Sequence, residues 1–249
     1  QNAIGVLTAD ITLEVDGRDD VGTSTFYGVL DGNGHKITLS ANSSQSIGEI
    51  NNPVLLNTDN DGIRDNLQGT YTGTGLNGIL SAGLLVGANR GTIANIVINY
   101  SSNMEMPSTS NGNISNADYT LRSTTSPAYM STLGIVTGAN FGTIDNVRVN
   151  VGGNFVGRQQ ESAVNAASSG IGQNRNARSW ENTAIVGTLA GILVSGTISD
   201  TYVDIAAGVT IGASADGRTK QGVLSAWRNA VAISGGMVGF FIGSNGMLQ

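Results

Sequence analysis

Residues 84–100 read LLVGANRGTIANIVINY, and two further stretches of the chain align with them. Residues 135–151 read IVTGANFGTIDNVRVNV, and residues 189–205 read LAGILVSGTISDTYVDI. Residues 240–248, FFIGSNGML, begin a fourth copy. The turn glycines of the four copies lie 51, 54 and 50 residues apart, at Gly91, Gly142, Gly196 and Gly246. A pattern that recurs at a nearly fixed period is typical of stacked repeat proteins.

Each copy carries the pattern of a β-strand that follows a glycine corner. Apolar residues alternate with polar ones after the Gly-Thr-Ile corner, as period-two strands do, and glycine permits close backbone approach at the corner. We expect equivalent apolar residues to stack in two buried rows. One row is Ile93, Ile144 and Ile198, and the other is Ile98, Val149 and Val203.

Polar residues also recur at equivalent positions of the repeats. Asn95, Asn146 and Asp200 share one position, and a second position holds Asn99, Asn150 and Asp204. In stacked strands such side chains can hydrogen-bond to one another in ladders. The alternative is that Asn and Asp are there only because they suit turns.

The predicted fold is therefore all-β, a β-solenoid of right-handed parallel β-helix type with repeats of about 50 residues. Inserted loops or extra coils are expected between the repeat cores. We expect a single domain over residues 1–249. Residues 1–27 would form an N-terminal strand, a cap or a donor segment, and residues 28–249 the repeats, of which the last is incomplete.

The composition narrows the class of protein. Glycine accounts for 36 of 249 residues, proline for 3, and charged residues for 12%. Hydrophobic content of 39% is too high for a disordered chain, and the net charge of −6 without a basic stripe disfavours a nucleic-acid partner. No apolar run reaches the ~18 residues of a membrane span. The absence of cysteine excludes disulfides and thiolate sites.

The repeat core resembles a known family. The pattern Gly-[Leu/Ile]-[Leu/Val]-[Val/Thr]-Gly-x-Asn-x-Gly-Thr-Ile-x-Asn is similar to the GLUG-type repeat of bacterial surface proteins, adhesins and some secreted peptidases. Residues 84–98 and 133–149 match it best, whereas residues 187–203 lack the Gly-x-Asn turn. Residues 30–39, LDGNGHKITL, resemble the first coil of many right-handed parallel β-helices. The resemblance implies a β-solenoid on the cell surface or outside the cell, and it implies no catalytic residues.

Residues 57–65, NTDNDGIRD, form a candidate calcium loop. Oxygen-bearing side chains fall at alternate positions, a glycine follows the third of them, and a backbone carbonyl is available after that glycine. The spacing resembles the loops of thrombospondin type 3, dockerin and EF-hand sites. An acidic surface turn is the alternative. The predicted ligands are Asn57, Asp59, Asp61, the carbonyl of Ile63, and Asp65.

The sequence gives little support to catalysis. His35 is the only histidine and lies in a glycine-rich turn, and no group of acidic residues converges in the sequence. We therefore expect no enzyme, although a polysaccharide lyase or hydrolase stays a third alternative. Three N-x-[Ser/Thr] triplets mark possible glycosylation at Asn42, Asn99 and Asn113.

The two ends of the repeat array suggest assembly. Residues 3–15 contain an alternating run without a repeat partner of their own in the sequence, and residues 243–248 offer an edge for another chain's strand. The expected function is an extracellular structural subunit that associates head to tail into a filament, sheath or matrix. An adhesin or carbohydrate-binding module of a larger surface protein, closed by an internal cap, is the alternative. The predicted interface residues are Ile4, Val6, Ile11, Leu13, Val15, Phe240, Phe241, Met247 and Leu248.

Overall fold

A computed structural model describes residues 3–15, 25–41, 54–56, 79–101, 104–105, 130–160, 183–216, 231–241 and 246–248. In these ranges the regular secondary structure consists of strands, without a helix. The strands form four sheets, and all strand pairs but one are parallel. The all-β prediction is confirmed.

The largest sheet, sheet A, has nine strands. Its strands are β1 (Ile4–Val6), β2 (Ile11–Val15), β4 (Val29–Asp31), β5 (Lys36–Ala41), β9 (Thr92–Tyr100), β13 (Thr143–Val151), β17 (Gly196–Ser199), β18 (Tyr202–Ile205) and β22 (Gly246–Leu248). The main path runs in the order β1–β4–β9–β13–β17–β22, and β2, β5 and β18 extend the sheet beside the second halves of β9 and β13.

The other three sheets add strands in the same order along the chain, with five described strands in each of two sheets and three in the last. Sheet B contains β3 (Thr25–Phe26), β8 (Val86–Asn89), β12 (Thr137–Asn140), β16 (Ala190–Leu193) and β21 (Val238–Phe241). Sheet C contains β6 (Val54–Leu56), β7 (Ile79–Gly83), β11 (Met130–Gly134), β15 (Thr183–Gly187) and β20 (Val231–Gly235). Sheet D contains β10 (Met104–Glu105), β14 (Phe155–Gln160) and β19 (Ile211–Asp216).

The repeats stack in the register that the sequence alignment predicts. Ile144 pairs with Ile93 on one side and with Ile198 on the other, and all three side chains are fully buried. In the second row Val149 lies between Ile98 and Val203. Ile98 and Val149 are buried and Val203 is partly buried, so both predicted rows are confirmed.

Glycine corners hold the layers at close distance. A Cβ atom on Gly142 would lie 2.1 Å from the carbonyl oxygen of Gly91 in the preceding repeat, a distance that real Cβ contacts do not reach. Gly196 has a φ of 81° and would bring its Cβ to 2.0 Å from the carbonyl oxygen of Gly142. The repeated corner therefore requires glycine for backbone approach.

Sheet D contributes one large aromatic residue to the core. Phe155 is fully buried and meets the Tyr100 ring edge-on, with 5.6 Å between the ring centroids. The Tyr100 hydroxyl donates a hydrogen bond of 2.8 Å to the carbonyl oxygen of Asn154. Part of the sequence between the repeat cores thus forms strands of its own.

Two features differ from the sequence prediction. Residues 3–15 are paired within their own chain, because β1 pairs with β4 and β2 pairs with β5. The expectation that this segment lacks a partner in its own chain is wrong. Its strands pair with those of the first repeat, although the segment does not contain the Gly-Thr-Ile corner by which the repeats are recognised. The second difference is β6, which pairs antiparallel with β7.

Candidate assembly surfaces

The predicted interface residues divide between opposite ends of the stack of strands. We call the strands that one repeat adds to the sheets a layer. The first end of the stack is the layer of β1 and β2, and the last end consists of β18 together with the layer of β20, β21 and β22. The first end carries Ile4, Val6, Ile11, Leu13 and Val15, and the last end carries Phe240, Phe241, Met247 and Leu248.

Of the six large apolar side chains that are exposed among the described residues, five lie at these ends. On β1, Ile4 is 74% and Val6 is 53% exposed. At the last end Tyr202 is 68%, Ile205 42% and Phe241 47% exposed. The sixth such residue is Tyr27, which lies between β3 and β4 in the second layer.

We call a set of residues that pair with one another across successive layers a column. At the first end, β1 and β2 continue the columns of the core. Ile11 pairs with the buried Ile37, and Leu13 pairs with the buried Leu39, yet both Ile11 and Leu13 are only partly buried. On β1 the inward position is occupied by Gly5, which pairs with Leu30. Because successive side chains of a strand alternate between faces, Ile4 and Val6 lie on the outward face of sheet A.

At the last end the same columns finish on β18. Ile205 pairs with Val151, which is 1% exposed, so Ile205 occupies an inward position although it is half-exposed. Tyr202 pairs with the exposed Arg148 on the outward face. In sheet B, Phe240 pairs with the buried Ile192 and is partly buried. The last end is therefore an apolar core whose next layer is absent from the described residues.

A polar cluster links the first layer to the second. The Asp10 carboxylate accepts a hydrogen bond of 3.0 Å from the backbone N–H of Lys36 and lies 3.2 Å from the Lys36 Nζ. The His35 Nδ1 lies 3.4 Å from the same carboxylate. The backbone N–H of Lys36, helped by its ammonium group, lowers the pKa of Asp10 below its ordinary value.

The predicted polar ladders are confirmed between Asn95 and Asn146 and between Asn99 and Asn150, on the outward face of sheet A. The Asn146 amide donates to Asn95 at 2.9 Å, and the Asn95 amide donates in turn to Asp31 at 3.1 Å. The Asn33 backbone N–H and then the Asn95 amide lower the pKa of Asp31.

The contacts of the second predicted ladder, and the backbone conformation of the residues in the first, agree with the prediction of polar ladders. The Asn150 amide donates to Asn99 at 2.7 Å, and Arg148 forms an ion pair with Asp204. Asn95, Asn146 and Asp200 have φ values of 55°, 51° and 46°, a left-handed conformation that Asn and Asp adopt more readily than other non-glycine residues. The turn preference and the ladder thus operate together.

A third ladder was not predicted and is buried. The Asn89 amide donates to Asn140 Oδ1 at 2.7 Å, and both residues are fully buried. Asn89 also accepts a hydrogen bond from the Gly91 backbone N–H, and Asn140 donates to the Gly142 carbonyl. The signal was present in the sequence, because the Gly-x-Asn turn recurs at a spacing of 51 residues.

Several predicted sites lie outside the described residues. These are the calcium loop, with Asn57, Asp59, Asp61, Ile63 and Asp65, and the glycosylation positions Asn42 and Asn113. Asn99 lies on β9 and is half-buried, where it accepts the bond from Asn150. Among the residues with described side chains, no three His, Cys, Asp or Glu residues group in a way that could hold a metal ion.

We found no match to this chain among protein-family models, curated proteins or solved structures. The resemblance to the GLUG repeat therefore rests on the sequence motifs alone. In the part of the chain that the structure describes, no helix has the length and apolar character required to cross a membrane.

Proposed function

We propose that the chain is an extracellular structural subunit built as a right-handed β-solenoid, and that its copies associate head to tail into a filament, sheath or matrix. The observation that carries the proposal is the placement of exposed apolar side chains. Ile205 and Phe241 at the last end are exposed, whereas Val151 and Leu193, with which they pair, are buried. At the first end Ile11 and Leu13 are only partly buried, although they continue the same buried core.

Strand edges add to this argument. Among the described strands, β1 pairs with β4 alone and β18 pairs with β13 alone, so each has an edge without a described partner. Open parallel edges can accept a strand from another chain. Because the two ends are different surfaces, their contact is heterologous, and a heterologous contact that does not close gives a filament. A specific junction is expected to bury more than ~1,000 Å².

The experiment compares two lysine substitutions. Ile205→Lys places a charge in the apolar last end, and Ala94→Lys places the same charge on the outward face of a middle layer, between Asp31 and Asp145. Sedimentation velocity and negative-stain microscopy should show filaments for wild type and Ala94→Lys but not for Ile205→Lys. A wild-type chain that stays monomeric at high concentration would overturn the proposal in favour of a capped adhesin domain.

Exposed tyrosines favour carbohydrate binding as a second candidate function. Tyr202 and Tyr27 are more than half exposed, and tyrosine rings combine an apolar face with a polar hydroxyl, as ligand-binding surfaces require. The two tyrosines belong to different layers, so they would form separate sites rather than one platform. Loss of binding to a glycan array on Tyr202→Ala, in a variant that still assembles, would establish this function.

We further propose that the loop of residues 57–65 binds calcium, on the strength of its ligand spacing. An ion bound only by the folded chain raises its melting temperature. Calcium should therefore raise the melting temperature and a chelator should lower it, and Asp59→Asn combined with Asp61→Asn should abolish the difference. An unchanged melting temperature would contradict the calcium site. Catalysis is not part of the proposed function.

A further inference from the structure

We propose that neighbouring copies share one layer at each junction, which deepens the head-to-tail proposal and rests on it. In this arrangement β1 and β2 of one copy complete the last layer of the next copy beside β20 and β21. In the shared layer β1 pairs with β17, in the place that β22 occupies in the isolated chain, and β2 pairs with the open edge of β18.

The two ends are stepped in complementary ways. The first layer contains strands of sheet A, β1 and β2, whereas the described strands of sheets B and C begin one layer further in, with β3 and β6. The last layer contains β20 of sheet C and β21 of sheet B. Its sheet A part, as far as described, is the three-residue β22 beside β17, with no strand beside β18. The first end thus carries strands of sheet A at the level where the described residues of the last end have none beside β18.

The core columns match across such a junction. Ile11 belongs to the column that continues through Ile37, Ile98 and Val149 to Val203. Leu13 belongs in the same way to the column that ends at Ile205. Pairing Ile11 with Val203 therefore places Leu13 over the half-exposed Ile205, and apolar surface on both ends leaves water.

The segment that connects β1 to β2 and the segment that connects β17 to β18 have compatible lengths. Val6 and Ile11 are five positions apart, and Ser199 and Val203, which would face them, are four positions apart. The fold already accommodates a larger difference, because Asp31 and Ile37 are six positions apart and pair with Ala94 and Ile98, which are four apart. Both halves of the first layer can thus pair at once.

The strand β22 is the competitor for half of this edge. Met247 pairs with Thr197, the residue that Ile4 would face in a shared layer. If β22 stayed in place, β1 of the next copy would pair with β22, and β2 would lie one strand too far from β18. Neighbouring strands in a sheet are ~4.8 Å apart, so β2 would then lie about two strand spacings from β18. No single side-chain contact spans the space between them. A shared layer requires that β22 be exchanged for β1.

Disulfide trapping distinguishes the two arrangements, since the chain has no cysteine of its own. A chain with Ile4→Cys is mixed with a chain carrying either Thr197→Cys or Met247→Cys, and each mixture is oxidised at the concentration at which wild type assembles. Disulfide closure needs Cα atoms about 4.4–6.8 Å apart, so only cysteines on adjacent strands should react efficiently. A shared layer predicts dimer from Ile4→Cys with Thr197→Cys, formed about tenfold faster than with Met247→Cys.

The opposite preference would overturn the shared layer and leave head-to-tail assembly standing. If neither mixture gives a covalent dimer above that of each single variant, and sedimentation shows monomer for wild type, head-to-tail assembly itself fails. A second pair, Thr12→Cys with Asp204→Cys, reports on β2 and β18 and should react only in a shared layer.

Proline substitution in β22 gives an independent readout. Successive N–H groups of a strand point to opposite sides, so one of Met247→Pro and Leu248→Pro removes an N–H directed at β17 and the other is its matched control. Weakening β22 should raise the association constant if β22 competes with β1, and should lower it if β1 adds to β22. Sedimentation velocity of the two variants measures the sign, and a lowered constant for both would overturn the proposal.

Discussion

The middle strands β9 and β13 and the end strand β18 contain the same repeated pattern but differ in how far it is covered. In the middle, Tyr100 and Val151 are 2% and 1% exposed at the position where Ile205 of β18 is 42% exposed. The chemical character of the column is constant, and only the number of neighbouring layers changes. Coverage by a further layer therefore decides whether an apolar side chain of this fold is core or surface.

At the first end the apolar side chains are likewise less covered than in the middle, and a polar cluster adds to the contacts between the layers. Ile11 and Leu13 are partly buried because β5 covers them on one side, and the Asp10 cluster holds their layer to the second. The last end has apolar side chains at its open edge instead. A substitution at one column position should thus have a large effect in the middle and a small one at an end.

The largest difference is expected between two isoleucine truncations. Ile144→Ala removes a fully buried side chain from between two layers and should lower the free energy of unfolding by about 2–5 kcal/mol. Ile205→Ala shortens a half-exposed side chain and should cost about 1 kcal/mol. Denaturant unfolding at low protein concentration measures both, and equal losses would contradict the alignment of the layers.

The second difference concerns glycines. Gly142→Ala would bring a Cβ atom within 2.1 Å of the Gly91 carbonyl oxygen and force two layers apart, at about 1–3 kcal/mol. Gly236→Ala is the matched control at the last end, because no atom lies within 4 Å of the added Cβ. Thermal unfolding should show a clear loss for the first and almost none for the second. A stable Gly142→Ala protein would mean that the corner is wider than the structure shows.

The parts of the fold that the sequence predicts are those that repeat. Residues at a constant spacing predict the rows through Ile144 and Val149 and the ladder through Asn146. In a stacked fold, residues at the same position of successive repeats become neighbours. A residue that recurs at the period needs no knowledge of the chain between copies. The same logic could have found the buried Asn89–Asn140 pair.

The parts that escaped prediction are those without a repeated signature. Residues 3–15 join sheet A through strands whose inward positions are Gly5, Ile11 and Leu13, a pattern too short and general to identify its partner. The antiparallel strand β6 breaks the rule that each layer repeats the one before. The sequence predicts that the proposed interface residues lie at two ends. Whether each of them faces inward or outward follows only from the strand register, in which Ile4 and Val6 face outward.

The third difference compares two ladders. Asn140→Ala removes one of the two acceptors of the buried Asn89 amide, which also donates to the Thr143 carbonyl oxygen, and an unsatisfied buried N–H costs about 1–3 kcal/mol. Asn150→Ala removes the bond to Asn99 on the half-exposed outward face, where water can replace it, at about 0.5–1.5 kcal/mol. Chemical denaturation of both variants tests the order, and a larger loss for Asn150→Ala would show that burial does not govern ladder strength.

The smallest effect is expected at the first end, where Asp10→Asn removes the charge that faces Lys36 and His35. The pKa of Asp10 is lowered in the folded chain from its ordinary value of 3.8, first by the Lys36 backbone N–H. A group whose pKa is lower in the folded state stabilises that state above its unfolded pKa, and the contribution disappears as the pH falls through the folded pKa. Wild type should therefore melt slightly above Asp10→Asn at pH 7.

The pH dependence separates this effect from a change in packing. As the pH falls through the lowered pKa of folded Asp10, its carboxylate becomes protonated and uncharged like the asparagine that replaces it, so the two melting temperatures should converge. Thr8→Ala, in the same connection between β1 and β2, is an uncharged control whose difference from wild type should not follow this titration. Because the carboxylate is exposed, salt should also reduce the difference at pH 7. A difference between wild type and Asp10→Asn that persists unchanged to low pH would show that the first layer is held by its strand pairing alone.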